Sequence, residues 1–302
     1  MHKAPVLVIG SSNTDMVIKT AHLPAPGETI LGGTFFMNAG GKGANPAVAA
    51  ARLGGAVTFI AKLGNDIFGR QALQLFNEEG IDTSLVVIDP LYPSGVALIT
   101  VDDKGENCIA VASGANAQLT PEDIENTKHT ITAAPIILMQ LETPVETVEY
   151  AAMLGYLHNS TVILNPAPAC ELPHGLLKNV SIITPNENEA EMLSGIKVTD
   201  SQSAIQAAGV IRAKGVKTVI ITLGSKGAII IGDGVEHLVP APTVTAVDTT
   251  AAGDLFNGAL AVALSEGRDI ITSVGFACNA AAISVTRLGA QASAPWRREI
   301  VE

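Results

Sequence analysis

The stretch VDTTAAGDLFNGAL, residues 247–260, sets Asp254 among the smallest side chains available. If Ala252-Gly253-Asp254 opens a helix, its free N–H groups form an anion site without any lysine. Long side chains there would fill the space where phosphoryl oxygens sit. A carboxylate beside such a site can orient and deprotonate a hydroxyl that attacks phosphorus. A plainer reading competes: an acid in the first helical turn stabilises the helix by roughly 0.3–1 kcal/mol. Asp254 alone does not separate the two.

Other stretches carry the same ambiguity. AGGKGAN, residues 39–45, places three glycines and Lys42 immediately before a helix, where backbone amides can approach a ligand closely. It matches neither a Walker A loop nor GxGxxG, and a tight turn into an Ala-rich helix would explain it equally well. Asn13 and Asp15 stand just beyond the first strand, and Glu142 ends the run IILMQLE. Short polar groups at strand ends suit hydroxyl recognition, or simply cap turns. Asn186 and Glu189 in PNENEAE share one face of a helix start. They could order water around Mg²⁺, or cap the helix. TLGSKG, residues 222–227, could lie along a nucleotide or be an ordinary hairpin bend. Each site taken alone is ambiguous, but all five fall at strand ends or helix starts on one edge of one sheet. That coincidence favours a single active site.

The elements that must hold these residues follow from periodicity. PVLVIG (5–10), IILMQ, TVILNP, SIITPN and TVIITLG are buried-type strands close to helical stretches, the pattern of a doubly wound, mostly parallel α/β sheet with helices on both faces. VTFIAKLG reads as one strand and SLVVI as another, while ANPAVAAARLG reads as a small-residue helix. Two Ala-rich helices, about 252–266 and 270–285, close the fold. MVIKT, TILGGTFFM and the hairpin SGVALITVDDKGENCIAVAS alternate instead, as short antiparallel strands do. The expected organisation is an α/β domain over 1–13, 39–91 and 113–302. A discontinuous β lid, 14–38 and 92–112, should lie over the carboxyl ends of its strands, where open α/β sheets bind ligands.

Composition narrows the classes. The 302 residues are 47% hydrophobic and 16% charged, ample for a packed core. A formal net charge of −11 and no basic cluster argue against nucleic acid. Cys108, Cys170 and Cys278 form no CxxC, which fits buried or semi-buried thiols in a reducing compartment. The start lacks a signal-peptide pattern and no run of about 18 apolar residues occurs, so the expected location is cytoplasmic.

AGGKGAN, PNENEAE and DTTAAGD, in that order, resemble the signatures of the PfkB carbohydrate kinases, in their ribokinase branch. GSSNTD, PAPGET, MQLETP, NPAPA, ITLGSKG and the closing VTRLGAQASAPWR extend the resemblance over nearly the whole chain. It implies ATP-dependent phosphorylation of D-ribose at O5, giving D-ribose 5-phosphate, in a homodimer joined through the lids. Asp254 would be the general base, with Ala251, Ala252 and Gly253 as anion hole. Asn13, Asp15, Gly41, Lys42, Asn45 and Glu142 would hold the sugar. Asn186, Thr222, Gly224, Ser225, Gly227, Gly253 and Cys278 would contact the nucleotide. Mg²⁺ would accompany ATP near Asn186 and Glu189. K⁺ as activator would lie against Asp248, Thr250, Ser284, Arg287, Gly289 and Ser293. The chain departs from the pattern at Pro46, usually Gln, at Leu255, usually Thr or Ser, and at Cys278, usually Asn or His. Two rival readings stay open: a kinase for another sugar or nucleoside such as 2-deoxyribose, and a catalytically weak binding regulator on the same fold.

Overall fold

Strands buried on both faces need apolar residues at every position, and the central strands here have them. The computed structural model describes residues 4–300. Among these, the strands are β1 (Ala4–Ile9), β2 (Asn13–Lys19), β3 (Thr34–Gly40), β4 (Gly55–Ile60), β5 (Lys62–Gly64), β6 (Val87–Asp89), β7 (Gly95–Val101), β8 (Asn107–Ala112), β9 (Ile136–Met139), β10 (Thr161–Leu164), β11 (Ile182–Ile183), β12 (Thr218–Thr222), β13 (Ala228–Gly232) and β14 (Val235–Val239).

The main sheet runs β14-β13-β12-β11-β10-β9-β1-β4. It is parallel from β12 to β4, and β13 and β14 add an antiparallel edge. Alternate residues feed two cores. Val6, Val8, Phe59, Leu138 and Ile163 pack under the helices Ala44–Arg52, Ala252–Ser265 and Ile270–Ser284. Leu7, Ile9, Ile137, Met139 and Val162 pack under Val145–Leu157 and Ser201–Ala213 on the other face. Helices on both faces and a mostly parallel sheet match the architecture that the sequence implies.

A separate sheet, in the order β3-β2-β7-β8, comes from two distant stretches. The β2–β3 and β7–β8 pairs are antiparallel, but β2 and β7 pair in parallel. The all-antiparallel expectation fails there because both strands leave the main domain in the same direction. A second difference is local. The run expected as one strand at 57–64 breaks at Ala61 into β4, which continues the main sheet, and β5, which pairs β6 instead. The SLVVI strand shortens to β6.

Among the described residues, no helix is long and apolar enough to cross a membrane.

Candidate active site

The helix Ala252–Ser265 starts abruptly. Its preceding residue, Ala251, takes the left-handed conformation at φ 60 and offers no side-chain cap; Ala252 N donates to the Thr249 carbonyl at 3.2 Å, which leaves the N–H groups of Gly253 and Asp254 for a ligand. Asp254 lies in that turn and is buried. Its carboxylate is held from two sides: Asn45 Nδ2 donates to Oδ2 at 2.8 Å, and Asn165 Nδ2 donates to Oδ1 at 3.3 Å. Burial pushes its pKa up to about 6, although Lys42 and the Asn45 bond both favour the anion. Such a carboxylate is ionised at neutral pH yet basic enough to accept a proton.

Asn165 was not among the site residues expected from sequence, although it opens the motif NPAPA. Asn257 was missed as well. Its Nδ2 donates to the Gly253 carbonyl at 2.8 Å, while its Oδ1 accepts from Thr184 Oγ1 at 2.7 Å. This pair braces the helix start from behind.

A second carboxylate organises the opposite wall. Glu142 Oε2 accepts from Ser11 Oγ at 2.6 Å, Lys42 N at 3.0 Å and Asn13 Nδ2 at 3.2 Å. It thereby ties the end of β1, the glycine loop and the root of β2 together. Gly41 in that loop has φ +101, and an added Cβ would stand 2.7 Å from Asn13 N, so glycine is required there. Asp15 is half-buried, and its pKa is pushed up to about 6 by burial and by the charges of Glu142 and Asp254. Burial opposes the charge on Lys42, but Asp254, Glu142, Glu189 and Asp15 together outweigh it and hold its pKa above that of an ordinary lysine. Asn45 Oδ1 is buried without a hydrogen-bond partner, so a donor from a ligand hydroxyl would satisfy it.

Two cavities meet at the helix start. One, about 180 Å³, holds Lys42, Asn165, Glu189 and Asp254 on its walls. The other, about 510 Å³ and largely apolar, is lined by Gly224, Ser225, Gly227, Val244 and Cys278, among others. Thr222, Thr249, Ala252 and Gly253 border both. Cys278 is buried, and burial pushes its thiol up to about 12, so it remains protonated. Asn186 caps the helix Glu187–Ser194 and exchanges bonds with Glu189 in a capping box, the plainer of the two readings given to that pair. Burial raises the pKa of Glu189 against the Asn186 bond and Lys42. Asp248, Thr250 and Gly289 also meet: Asp248 Oδ1 accepts from Thr250 N and Oδ2 from Gly289 N, each at 2.9 Å. Burial would raise Asp248, but the Thr250 and Gly289 bonds outweigh it and hold it below the usual carboxylate range.

An anion-ready helix start with a buried carboxylate, between a polar and an apolar cavity, suits group transfer between two substrates. The pfkB family carbohydrate kinase profile matches residues 3–297. The chain belongs to the pfkB family of carbohydrate kinases.

Its relatives sharpen the comparison. A Haemophilus influenzae ribokinase is 45% identical over 98% of this kinase and 96% of its own length. A Salmonella typhi deoxyribokinase is 39% identical over 96% and 95%. The structure of Arabidopsis thaliana ribokinase complexed with ribose and ATP superposes with a TM-score of 0.93, at 32% identity, covering 99% of this chain and 97% of that one. As a kinase of this family the protein uses ATP, which enters such sites with a divalent cation.

Two departures from the family pattern find structural places. The Leu255 side chain points into the core and is fully buried, so no hydroxyl is missing from the cavity walls on its account. Pro46 lies in the first turn of Ala44–Arg52, where a missing N–H costs little, and its carbonyl packs close against Gly258.

Proposed function

We propose that the chain is a ribokinase, transferring the γ-phosphoryl group of ATP to O5 of D-ribose. The observation that carries this reading is the junction of the two cavities at Ala252-Gly253, with Asp254 directly beside it. The sugar fits next to the polar cavity that Lys42 and Asp254 line, where Glu142 draws Asn13 and the Gly41–Lys42 loop together, Asp15 lies close by, and the Asn45 oxygen beside Asp254 lacks a partner. The nucleotide base fits the apolar side, against Gly224, Ser225, Gly227 and Cys278, with Thr222 and Asn186 nearer the phosphates. Asp254 accepts the proton of the attacking hydroxyl. Of the anion-hole loop Ala251, Ala252 and Gly253, Ala252 N is engaged by the Thr249 carbonyl, so the N–H of Gly253 and its free neighbours take up the charge that grows on the transferring group. Closure of the β3-β2-β7-β8 sheet as a lid excludes water.

Mg²⁺ bound with ATP would neutralise phosphate charge. The oxygen-rich pair Asn186 and Glu189, facing Lys42, is a hard-ligand environment that fits it through water. K⁺ fits between the loop before Ala252–Ser265 and the segment after Ile270–Ser284, which Asp248 joins through Gly289 N, as a cation held mainly by oxygens. Ser284 and Ser293 donate their hydroxyl protons to local carbonyls, which leaves their oxygens as acceptors. The Arg287 guanidinium is drawn off by Glu299 at 2.6 Å, so its charge does not compete. Thr250, Arg287 and Gly289 would contribute carbonyls, and Asp248 would fix the loop. Cys278 is buried and Cys170 partly so, but Cys108, expected to be covered, is exposed on β8 at the edge of the small sheet; all three are unpaired, which suits a cytoplasmic setting.

A kinase for 2-deoxyribose is the second reading, favoured by the 39% identity to a deoxyribokinase. ADP release measured over a panel of pentoses and nucleosides, with and without K⁺, decides between them. The expected result is highest kcat/KM for D-ribose and several-fold activation by K⁺. Preference for 2-deoxyribose, or no sugar-dependent turnover, overturns the assignment.

The lid also supports a homodimer. Strand register puts Phe35, Ile18, Met37 and Leu98 on one face of the small sheet, while Asp15 and Val111 share the other. That first face is apolar and exposed, with Phe35 at 59% and Leu98 at 56%. Two such faces packed together would bury it. Sedimentation should give twice the monomer mass for the wild type and a monomer for Leu98→Glu. A monomeric wild type at micromolar concentration removes the dimer from this picture.

A further inference from the structure

Asn116 is almost fully buried, and it lies in none of the motifs that build the site. It sits in the short 3-10 turn Gly114–Gln118, where the chain re-enters the main domain after β8. Its side chain reaches back across 104 positions to the root of the lid. Ser12 N donates to Asn116 Oδ1 at 2.9 Å, and Asn116 Nδ2 donates to the Ser12 carbonyl at 3.1 Å and to Asn13 Oδ1 at 2.8 Å.

These bonds admit one orientation. A backbone N–H can only donate, so the Asn116 atom facing Ser12 N is the oxygen, and the other end of its amide is the NH₂ group. That NH₂ meets Asn13, so the Asn13 atom it meets is the oxygen. Asn13 must then turn its own NH₂ the other way, to Glu142 Oε2 at 3.2 Å. The chain of constraint starts at a main-chain group and ends in the sugar side of the site. A flipped Asn13 would put its NH₂ against the Asn116 NH₂ and its oxygen against a carboxylate, unfavourable at both ends.

The packing leaves no slack. A Cβ added at Gly95, the first residue of β7, would stand 2.1 Å from Asn13 Oδ1 and 2.2 Å from Asn116 Nδ2. Asn13 pairs with Gly95 and with Gly40 in the small sheet. Ala115 N donates to the Pro93 carbonyl at 2.7 Å. Asn116 therefore touches the outgoing root of β2 and the root of β7, and itself lies on the return from β8.

We propose that Asn116 is a positioning residue for sugar recognition, holding Asn13 so that it presents only hydrogen-bond donors to the substrate and to Glu142. The assignment rests on the reading of Asn13 as a sugar-binding residue. With Asn13 donating, a sugar hydroxyl beside it accepts from Asn13 and donates to the carboxylates of Glu142 or Asp15. Recognition is polarised in one direction, and the lid's return strand maintains that polarity.

Asn116→Asp tests this. The carboxylate keeps the acceptor for Ser12 N but loses both donors, so Asn13 turns over. The expected result is a KM for the sugar raised about 10-fold or more, because a site group that should donate now accepts. KM for ATP should stay within about twofold by the same logic, since the nucleotide cavity has no wall in this network. The ratio of kcat/KM for ribose over 2-deoxyribose should also change, a readout that simple loss of folded protein does not move. Should Asn116→Asp fail to fold, Asn116→Ser, whose hydroxyl is too short to reach Asn13, carries the same expectation. Asn13→Ala separates the two layers of the argument. If it raises the sugar KM but neither Asn116 variant does, the positioning role is overturned and the sugar site stands. If Asn13→Ala leaves the sugar KM unchanged, the reading of Asn13 fails and this inference falls with it.

Discussion

Replacing Asp254 by Asn should abolish nearly all turnover while making the protein more stable at alkaline pH. The catalytic half follows from the proton. An amide cannot accept it from the attacking hydroxyl, and loss of a positioned general base costs about 10²–10⁴-fold. The wild type should show the same group in its pH profile, with kcat/KM falling as pH drops through about 6, where Asp254 takes up its proton. The stability half follows from burial. The folded-state pKa lies above the ordinary 3.8, at about 6. Protonation therefore favours the fold: that contribution is fully present below 3.8 and lost as pH rises through 6. Above that window the ionised form is disfavoured by on the order of 3 kcal/mol. The amide introduced by Asp254→Asn never ionises, so the variant escapes this penalty. Asn45 can meet the new NH₂ by flipping its own amide, because its oxygen has no partner now. Thermal melts should place Asp254→Asn a few degrees above wild type at pH 8, with the gap closing towards pH 4. A variant that keeps a tenth of wild-type kcat removes Asp254 as base. A lower melting point at pH 8 removes the burial argument.

How much of this was legible in the sequence depends on the range of the interaction. Asp254, Lys42, Asn45 and Glu142 could be picked out as candidates because their local settings, a small-residue helix start and glycine or strand-end turns, announce exposed backbone donors. The mostly parallel sheet was legible because strands covered on both faces must be apolar throughout. Asn165, Asn257 and Asn116 were not, because each acts on a partner far along the chain. Asn165 is 89 positions from Asp254, and Asn116 is 103 from Asn13. A lone Asn in a turn carries no local mark of such a bond. Leu255 shows the reverse limit. Its neighbour Asp254 suggested a place beside the anion site, but successive residues on a helix point about 100° apart, and position 255 turns into the core.

The same substitution, glycine to alanine, should act in opposite directions at two points of this site. Gly43 precedes the helix Ala44–Arg52, and its Cβ would stand 2.5 Å from Ser11 N and 2.6 Å from the Gly10 carbonyl carbon. Both are backbone atoms at the end of β1, so no side chain can swing away. The helix start must lift off the strand. That stretches the bond from Ala44 N to the Ser11 carbonyl, now 2.8 Å, and the bond from Lys42 N to Glu142. Overpacking of this kind costs about 1–3 kcal/mol and more where backbone must move. Gly43→Ala should therefore lose both stability and sugar affinity. Gly253 lies in the first turn of Ala252–Ser265 and has nothing within 4 Å of an added Cβ. Alanine there gains helix propensity of up to about 1 kcal/mol. Yet the open space is the junction of the two cavities, where the transferring phosphoryl group would pass. Gly253→Ala should be as stable as wild type or more so, and its kcat should fall at least about tenfold, since a methyl displaced into a transfer site costs alignment. Denaturant midpoints and steady-state kinetics on both variants check the pair. An active Gly253→Ala enzyme would place phosphoryl transfer elsewhere than at this helix start.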